Sequence, residues 1–139
     1  MAEAASVNPI LQLGAVEQRD RLASGALRAV ELAGACLEEI GRREPEVGAW
    51  AYLDGDHVMQ QARKLDEHRA RGRPIGPLHG LPVGLKDVID TVGMPTENGT
   101  PLDAGRKPAQ DAYVVKRLKQ AGAVIMGKTV TTELMLRHP

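Results

Sequence analysis

The chain of 139 residues is long enough for one domain with a hydrophobic core, and its 18 Lys and Arg residues balance 18 Asp and Glu residues. A formal net charge of zero provides no basic excess to attract nucleic acid or an anionic membrane, so we expect neither partner. No apolar run approaches the roughly 20 residues that span a bilayer, and the first residues lack the features of a signal peptide.

Helical periodicity dominates residues 9–71. A weak apolar stripe over 11–22 stops at Ser24, which precedes a glycine. Apolar residues then recur at spacings of three and four, which predicts a helix over 29–43 with one apolar face. Pro45 lies just beyond that range, as is expected after a helix end.

A short strand and a third helix complete this helical region. Residues 49–53 predict the strand, and Asp56 is expected to cap the helix. The buried face of that helix is predicted to contain Val58, Ala62 and Leu65. The Gly- and Pro-rich stretch up to Gly80 predicts a loop.

The pattern changes after Gly80. Residues 83–89 predict a strand, and 91–108 predict a long loop rich in Gly and Pro. Asp111 is expected to cap a helix that ends at Gly122, since glycine is favoured just past a helix end. The apolar face of that helix is predicted to be Val114, Val115, Leu118 and Ala121.

The last elements point to an α/β fold. The apolar run 123–126 between glycines predicts a buried strand, and Thr131 or Thr132 is expected to begin another helix. We therefore predict an N-terminal helical region over 1–75, followed over 76–139 by the start of a mixed sheet flanked by helices.

Lys86 is the most informative residue for function. It lies in the run Gly-Pro-Leu-His-Gly-Leu-Pro-Val-Gly-Leu-Lys-Asp of residues 76–87, which predicts an amine within an apolar strand. Burial disfavours the charged form of a lysine, and a neutral lysine can take a proton from a nucleophile. The sequence therefore predicts a buried general base at Lys86. The alternative to this functional interpretation is an exposed strand lysine without a catalytic role.

Several blocks in fixed order resemble the N-terminal part of the amidase signature family. They are residues 76–87, Gly93-Met94-Pro95-Thr96, Gly99-Thr100, Asp111-Ala112, the run 121–129, and Thr132-Glu133-Leu134. The resemblance implies a truncated form of that family's α/β fold and hydrolysis or transfer at amide bonds. It also implies a small amide substrate and no cofactor.

The resemblance assigns Lys86 to a Ser–cis-Ser–Lys catalytic triad. In the family the two serines follow in a Gly/Ser-rich block, whereas this sequence ends at His138-Pro139. Ser6 and Ser24 lie in the helical region and are not expected to replace those serines. We therefore expect an N-terminal fragment that carries the catalytic lysine and is inactive alone.

Other residues near the block have candidate roles. Thr96, Gly99 and Thr100 fall in a loop that approaches the active site in the family, and they are candidates for a substrate loop, with a simple turn as the alternative. Asp87 should point away from Lys86, because neighbours on a strand face opposite ways. His79 has no partner at metal-ligand spacing, so we expect a turn histidine and no metal site.

Three other functions compete with the hydrolase. Residues 122–129 match the phosphate-binding pattern G-x4-G-K-T, but their apolar interior favours a strand. The unpaired edges of an interrupted sheet instead favour a non-catalytic interaction protein that forms homo-oligomers. The third alternative function is that of a protein similar to the A subunit of an amidotransferase.

The single cysteine, Cys36, excludes an internal disulfide bond and fits a reducing compartment, which makes the cytoplasm the expected location. Cys36 and Met126 are both expected to belong to the core. Because aromatic residues are only 2% of the chain, that core must consist mainly of aliphatic side chains.

Overall fold

The structure, a computed structural model, describes residues 7–136, and Ser6 and residues 137–139 lie outside that range. Four α-helices occur within it: α1 (Ala15–Ser24), α2 (Ala29–Val47), α3 (Gly55–Ala70) and α4 (Tyr113–Gln120). Three strands accompany them: β1 (Trp50–Leu53), β2 (Pro82–Lys86) and β3 (Val124–Thr129). Short 3-10 turns occupy Pro9–Gln12, Pro101–Asp103 and Glu133–Met135. The predicted α/β class, a helical region followed by a mixed sheet, is confirmed.

The three strands form one mixed sheet in the order β1-β3-β2. β3 is central, antiparallel to β1 and parallel to β2. The register between β2 and β3 shifts by one residue, because Val83 is opposite Ile125 whereas Gly84 is opposite Gly127. Met126 is the extra residue of this β-bulge. A bulge reverses the faces to which the following side chains of its strand point.

Helix α3 completes the hydrogen bonding of β3 where β1 has ended. The amide of Gln61 donates to the carbonyl oxygen of Ile125 over 2.9 Å and accepts from its N–H over 3.0 Å. Both backbone groups of a fully buried residue are thereby paired by one side chain.

The core has two parts, one on each face of the sheet. The larger part packs α1, α2 and α3 on the sheet, and its buried members are Leu22, Leu27, Ala29, Leu32, Ala33, Val58, Ala62, Val124 and Met126. The smaller part packs α4 and the long loop on the opposite face, with Leu85, Met94, Val115, Ala123 and Ile125 buried. The predicted core position of Met126 is confirmed.

The structure corrects two expectations in the helical region. Pro45 lies inside α2, which continues to Val47 and ends where Gly48 adopts a left-handed conformation. Pro45 removes one helical hydrogen bond, and only two residues of α2 follow it, so little of the helix lies beyond the disturbance. Asp54, and not Asp56, caps α3, because its carboxylate accepts the N–H of His57 over 3.0 Å.

The structure also corrects the start of α4 and its apolar face. Asp111 does not cap the helix: its carboxylate accepts the N–H of Val92 over 2.7 Å and binds the ammonium of Lys119 over 2.8 Å. Val115 is buried, whereas Val114 is 48% exposed. Gly122 does follow the helix end with φ +88°, as predicted.

Two further boundaries differ from prediction. β2 ends at Lys86, because the carbonyl oxygen of Lys86 accepts the N–H groups of Val88 and Ile89 and turns the chain away from the sheet. The helix expected from Thr131 or Thr132 is a single 3-10 turn over Glu133–Met135 within the described residues.

Candidate active site

Lys86 is the last residue of β2 and is paired in register with Thr129. The prediction that its side chain is buried is wrong for residues 7–136, because this side chain is exposed. β2 is an edge strand, and Gly84, on the same face, has no side chain to cover the amine. No carboxylate among the described residues lies within ion-pair distance of Lys86.

Asp87 points away from Lys86, as predicted, and its side chain is buried. Its main chain is held on both sides: its N–H donates to the carbonyl oxygen of Thr129, and its carbonyl oxygen accepts the N–H of Asn98, each over 2.9 Å. Its carboxylate accepts the N–H of Glu97 over 3.3 Å. The residue after Lys86 therefore fixes the end of β2 to the sheet and to the long loop.

Lys128, in β3, is the buried lysine of the structure, with none of its surface exposed. Its ammonium donates to the hydroxyl of Thr96 over 2.6 Å and to the carbonyl oxygen of Pro95 over 3.3 Å. The carboxylate of Asp87 lies 3.4 Å away. Burial lowers the pKa of Lys128, and the neighbouring carboxylates of Asp87 and Asp90 oppose that shift. Sequence reasoning did not predict the burial of Lys128.

The β-bulge explains why one lysine is buried and the other exposed. Without the extra residue, Lys86 and Lys128 would be opposite each other on one face of the sheet. With it, Lys128 is opposite Leu85, which is buried under α4, and Lys86 is opposite Thr129. The bulge thus sends two neighbouring ammonium groups to opposite faces.

Both candidate threonines of the long loop are buried and bonded within the chain. The hydroxyl of Thr96, besides accepting from Lys128, donates to the carbonyl oxygen of Ile89 over 3.4 Å. The hydroxyl of Thr100 donates to the carboxylate of Glu133 over 2.9 Å. These bonds tie the loop to the ends of β2 and β3, and a role in substrate binding stays a prediction.

Gly99 makes the close approach between the loop and the segment after β3 possible. It has φ +66°, and a Cβ atom there would lie 2.8 Å from the carbonyl oxygen of Thr131. A cavity of about 340 Å³ opens at this position, at the carboxyl ends of the parallel strands β2 and β3. Asp87, Glu97, Thr100 and Thr131 contribute to its lining.

The other residues singled out in the sequence, His79 and Cys36, lie in a turn and against the larger core. His79 lies in a turn, as predicted, and its Nε2 atom has no partner among the described residues. Burial lowers the pKa of this imidazole. Cys36 is half-buried against the larger core, and burial raises the pKa of its thiol. No group of potential metal ligands occurs within residues 7–136.

The phosphate-loop pattern does not form a loop. Residues 124–129, which include Gly127 and Lys128, are strand β3, and Lys128 is enclosed by Thr96, Pro95 and Asp87. A phosphate-binding loop needs exposed N–H groups between its glycines, and here a buried strand occupies that position.

Ser24, at the end of α1, donates its hydroxyl to the carbonyl oxygen of Arg21 over 3.1 Å.

Comparison with known proteins identifies the family. A family model described as Amidase matches residues 31–138. The chain belongs to the amidase family. The chain is 47% identical over 107 residues to the A subunit of glutamyl-tRNA(Gln) amidotransferase from Chloroflexus aurantiacus, across 77% of the chain and 22% of the relative. It is 41% identical to the same subunit from Streptomyces coelicolor, across 94% of the chain and 26% of the relative.

A solved structure supports the fold of the chain. The native peptide amidase from Stenotrophomonas maltophilia is 36% identical and superimposes with a TM-score of 0.82, across 90% of this chain and 26% of that protein. The chain thus spans about a quarter of the length of the relatives that it matches. Within residues 7–136, no helix has both the length and the apolar character needed to cross a bilayer.

Proposed function

We propose that this chain supplies the general base of an amide hydrolase and that Lys86 is that base. The observation that carries the proposal is the position of Lys86 at the carboxyl end of β2, where its amine is exposed and has no carboxylate partner among the described residues. Ligands of α/β sheets bind at the carboxyl ends of parallel strands. A lysine without a carboxylate partner can lose its proton more readily than a paired one.

In the proposed reaction, the neutral amine of Lys86 accepts a proton from a serine hydroxyl through a bridging serine. The serine oxygen then attacks the amide carbon, and the proton passes to the departing amine. The chain contains only Ser6 and Ser24, and Ser24 is bonded to the main chain of its own helix. We therefore propose that both reacting serines belong to polypeptide outside these 139 residues. We also propose that this polypeptide covers Lys86 and removes it from water.

A chimera tests this proposal. Residues 31–138 replace the matching segment of the peptide amidase from Stenotrophomonas maltophilia, and amide hydrolysis is measured with and without Lys86→Met. General bases contribute about 10²–10⁴ in rate, so we expect a loss of at least about a hundredfold. Lys64→Met, on the exposed side of α3, is the matched control. Equal turnover by the two variants of an active chimera would refute the role of Lys86.

The relatives support a second candidate, the amide-hydrolysing part of an amidotransferase. Identity to the Chloroflexus aurantiacus subunit is 47%, against 36% to the peptide amidase. Under this proposal the substrate is a glutamine side-chain amide, which releases ammonia. The same residues inserted into that subunit should support glutamine-dependent ammonia release. Activity restored in the peptide amidase but not in the subunit would favour the first candidate.

An interaction protein is the non-catalytic alternative, and the open sheet edges support it. β1 and β2 are the outer strands, and neither pairs with a further strand within the described residues. Unpaired strand edges readily recruit another chain, including a second copy. A stable dimer in size-exclusion chromatography would support this alternative. A monomer at all concentrations would exclude homo-oligomers.

A further inference from the structure

Asp87 is the residue after Lys86, and its carboxylate lies on the other face of the sheet from the Lys86 amine. A carboxylate next in sequence to a general base is a hazard, because an opposite charge nearby favours the protonated form of the base. Here the carboxylate of Asp87 lies 3.4 Å from the ammonium of Lys128, on the other side of the sheet from Lys86. The β-bulge at Met126 creates this arrangement, since it turns Lys128 toward the buried face.

Two carboxylates act on the Lys128 ammonium, those of Asp87 and Asp90, and each lies within ion-pair distance of a cation. Asp90 is bound by the guanidinium of Arg106 over 2.7 and 3.1 Å, so it has a cation of its own. Asp87 has Lys128 as its cationic partner among the described residues. Thr96 and Pro95 bind the other donors of the Lys128 ammonium and hold it in place.

We propose that Lys128 is a positioning residue that acts through Asp87: it neutralises that carboxylate on the buried face and so leaves the Lys86 amine free of it. This inference rests on the proposed function of Lys86 as a base. Asp87 also fixes the end of β2 through its main-chain bonds to Thr129 and Asn98. The pair therefore sets both the direction of Lys86 and its electrostatic surroundings.

The test is a pH titration of Lys86 in the whole chain at low salt. NMR signals of labelled lysine side chains report the titration. Lys128→Met leaves the carboxylate of Asp87 without a cation, and we expect the titration midpoint of Lys86 to rise by about half a pH unit, as for a water-screened charge nearby. Lys128→Arg keeps the cation and should restore the original midpoint. An unchanged midpoint in a folded Lys128→Met variant would overturn the proposal.

The double variant Asp87→Asn with Lys128→Met covers the case in which Lys128→Met fails to fold. It removes both charges together, and replacement of a buried ion pair by neutral groups is often tolerated. If Lys128 cancels Asp87 at Lys86, the midpoint of Lys86 should equal that of the original chain. A fall in the midpoint would show that Asp87 already acts on Lys86, and the proposal would be wrong.

The outcomes separate this inference from the proposed function. Titration of Lys86 does not require catalysis, so it can respond to Lys128 even if Lys86→Met leaves the chimera active. In that case the electrostatic role of Lys128 stands and the catalytic role of Lys86 falls. Conversely, the chimera can require Lys86 for activity while the titration of Lys86 in the chain does not respond to Lys128→Met. That result would refute only the positioning role of Lys128.

Discussion

Asp66 is expected to stabilise the fold more than any exposed carboxylate of its helix. It belongs to α3, yet its two carboxylate oxygens accept the N–H groups of Ala29 over 2.8 Å and Val30 over 3.1 Å at the start of α2. The first N–H groups of a helix have no partner within the helix, and its N-terminus favours negative charge. Asp66 therefore caps one helix from another and connects the two.

The magnitude follows from these two bonds. Loss of a helix cap costs about 0.5–2 kcal/mol, and hydrogen bonds to charged groups contribute about 1.5–3 kcal/mol. Because the bonds share one carboxylate and are only partly buried, we expect Asp66→Ala to lower the free energy of unfolding by about 2 kcal/mol. Asp66→Asn keeps one acceptor oxygen and should lose about half as much.

Urea denaturation followed by circular dichroism is the assay. With a denaturant slope of about 1.5 kcal/mol per molar, a loss of about 2 kcal/mol lowers the midpoint by about 1.3 M. Glu67→Ala is the matched control, since Glu67 is the next residue of α3, carries the same charge and, within residues 7–136, has a carboxylate whose contact is an exposed ion pair with Arg71 at 3.7 Å. Equal midpoints for Asp66→Ala and Glu67→Ala would show that the contact between α3 and α2 does not stabilise the fold.

Three more perturbations test the sheet and the buried histidine. Gln61→Ala leaves both backbone groups of Ile125 unpaired and should cost about 2–3 kcal/mol in urea denaturation, whereas Gln60→Ala on the exposed side should cost little. Gly127→Ala places a Cβ atom against the carbonyl oxygen of Tyr52 and should cost about 2 kcal/mol or more; Gly41→Ala, in open space on α2, should instead stabilise by about 0.5–1 kcal/mol. The pKa of His79 is lowered by burial, so the contribution of this imidazole to stability should be constant above about pH 6.5 and fall below it as the unfolded chain takes up the proton. His79→Gln should remove that part of the decline between about pH 7 and pH 5; an identical decline would refute it.

The sequence by itself determined the order of the elements and the family. The helix pattern over 29–43, the glycine-bounded apolar run before Gly127 and the glycine after α4 each predicted an element that the structure contains. Such signals are local, because periodicity and backbone preference act within one turn or one strand. The ordered blocks that resemble the amidase signature depend on residue identity alone, and the family model matches the same region.

Only the tertiary structure decided which lysine is buried. Residues 81–89 and 123–129 are similarly apolar, so neither pattern shows which face of its strand a helix will cover. The β-bulge at Met126 depends on the pairing of two strands about 40 residues apart, and it reverses the face on which Lys128 lies. Lys86, on an edge strand beside a glycine, stays exposed, whereas Lys128 is enclosed with Asp87 and Thr96. Burial is a property of the assembled layers, and for this pair of amines strand register determined it.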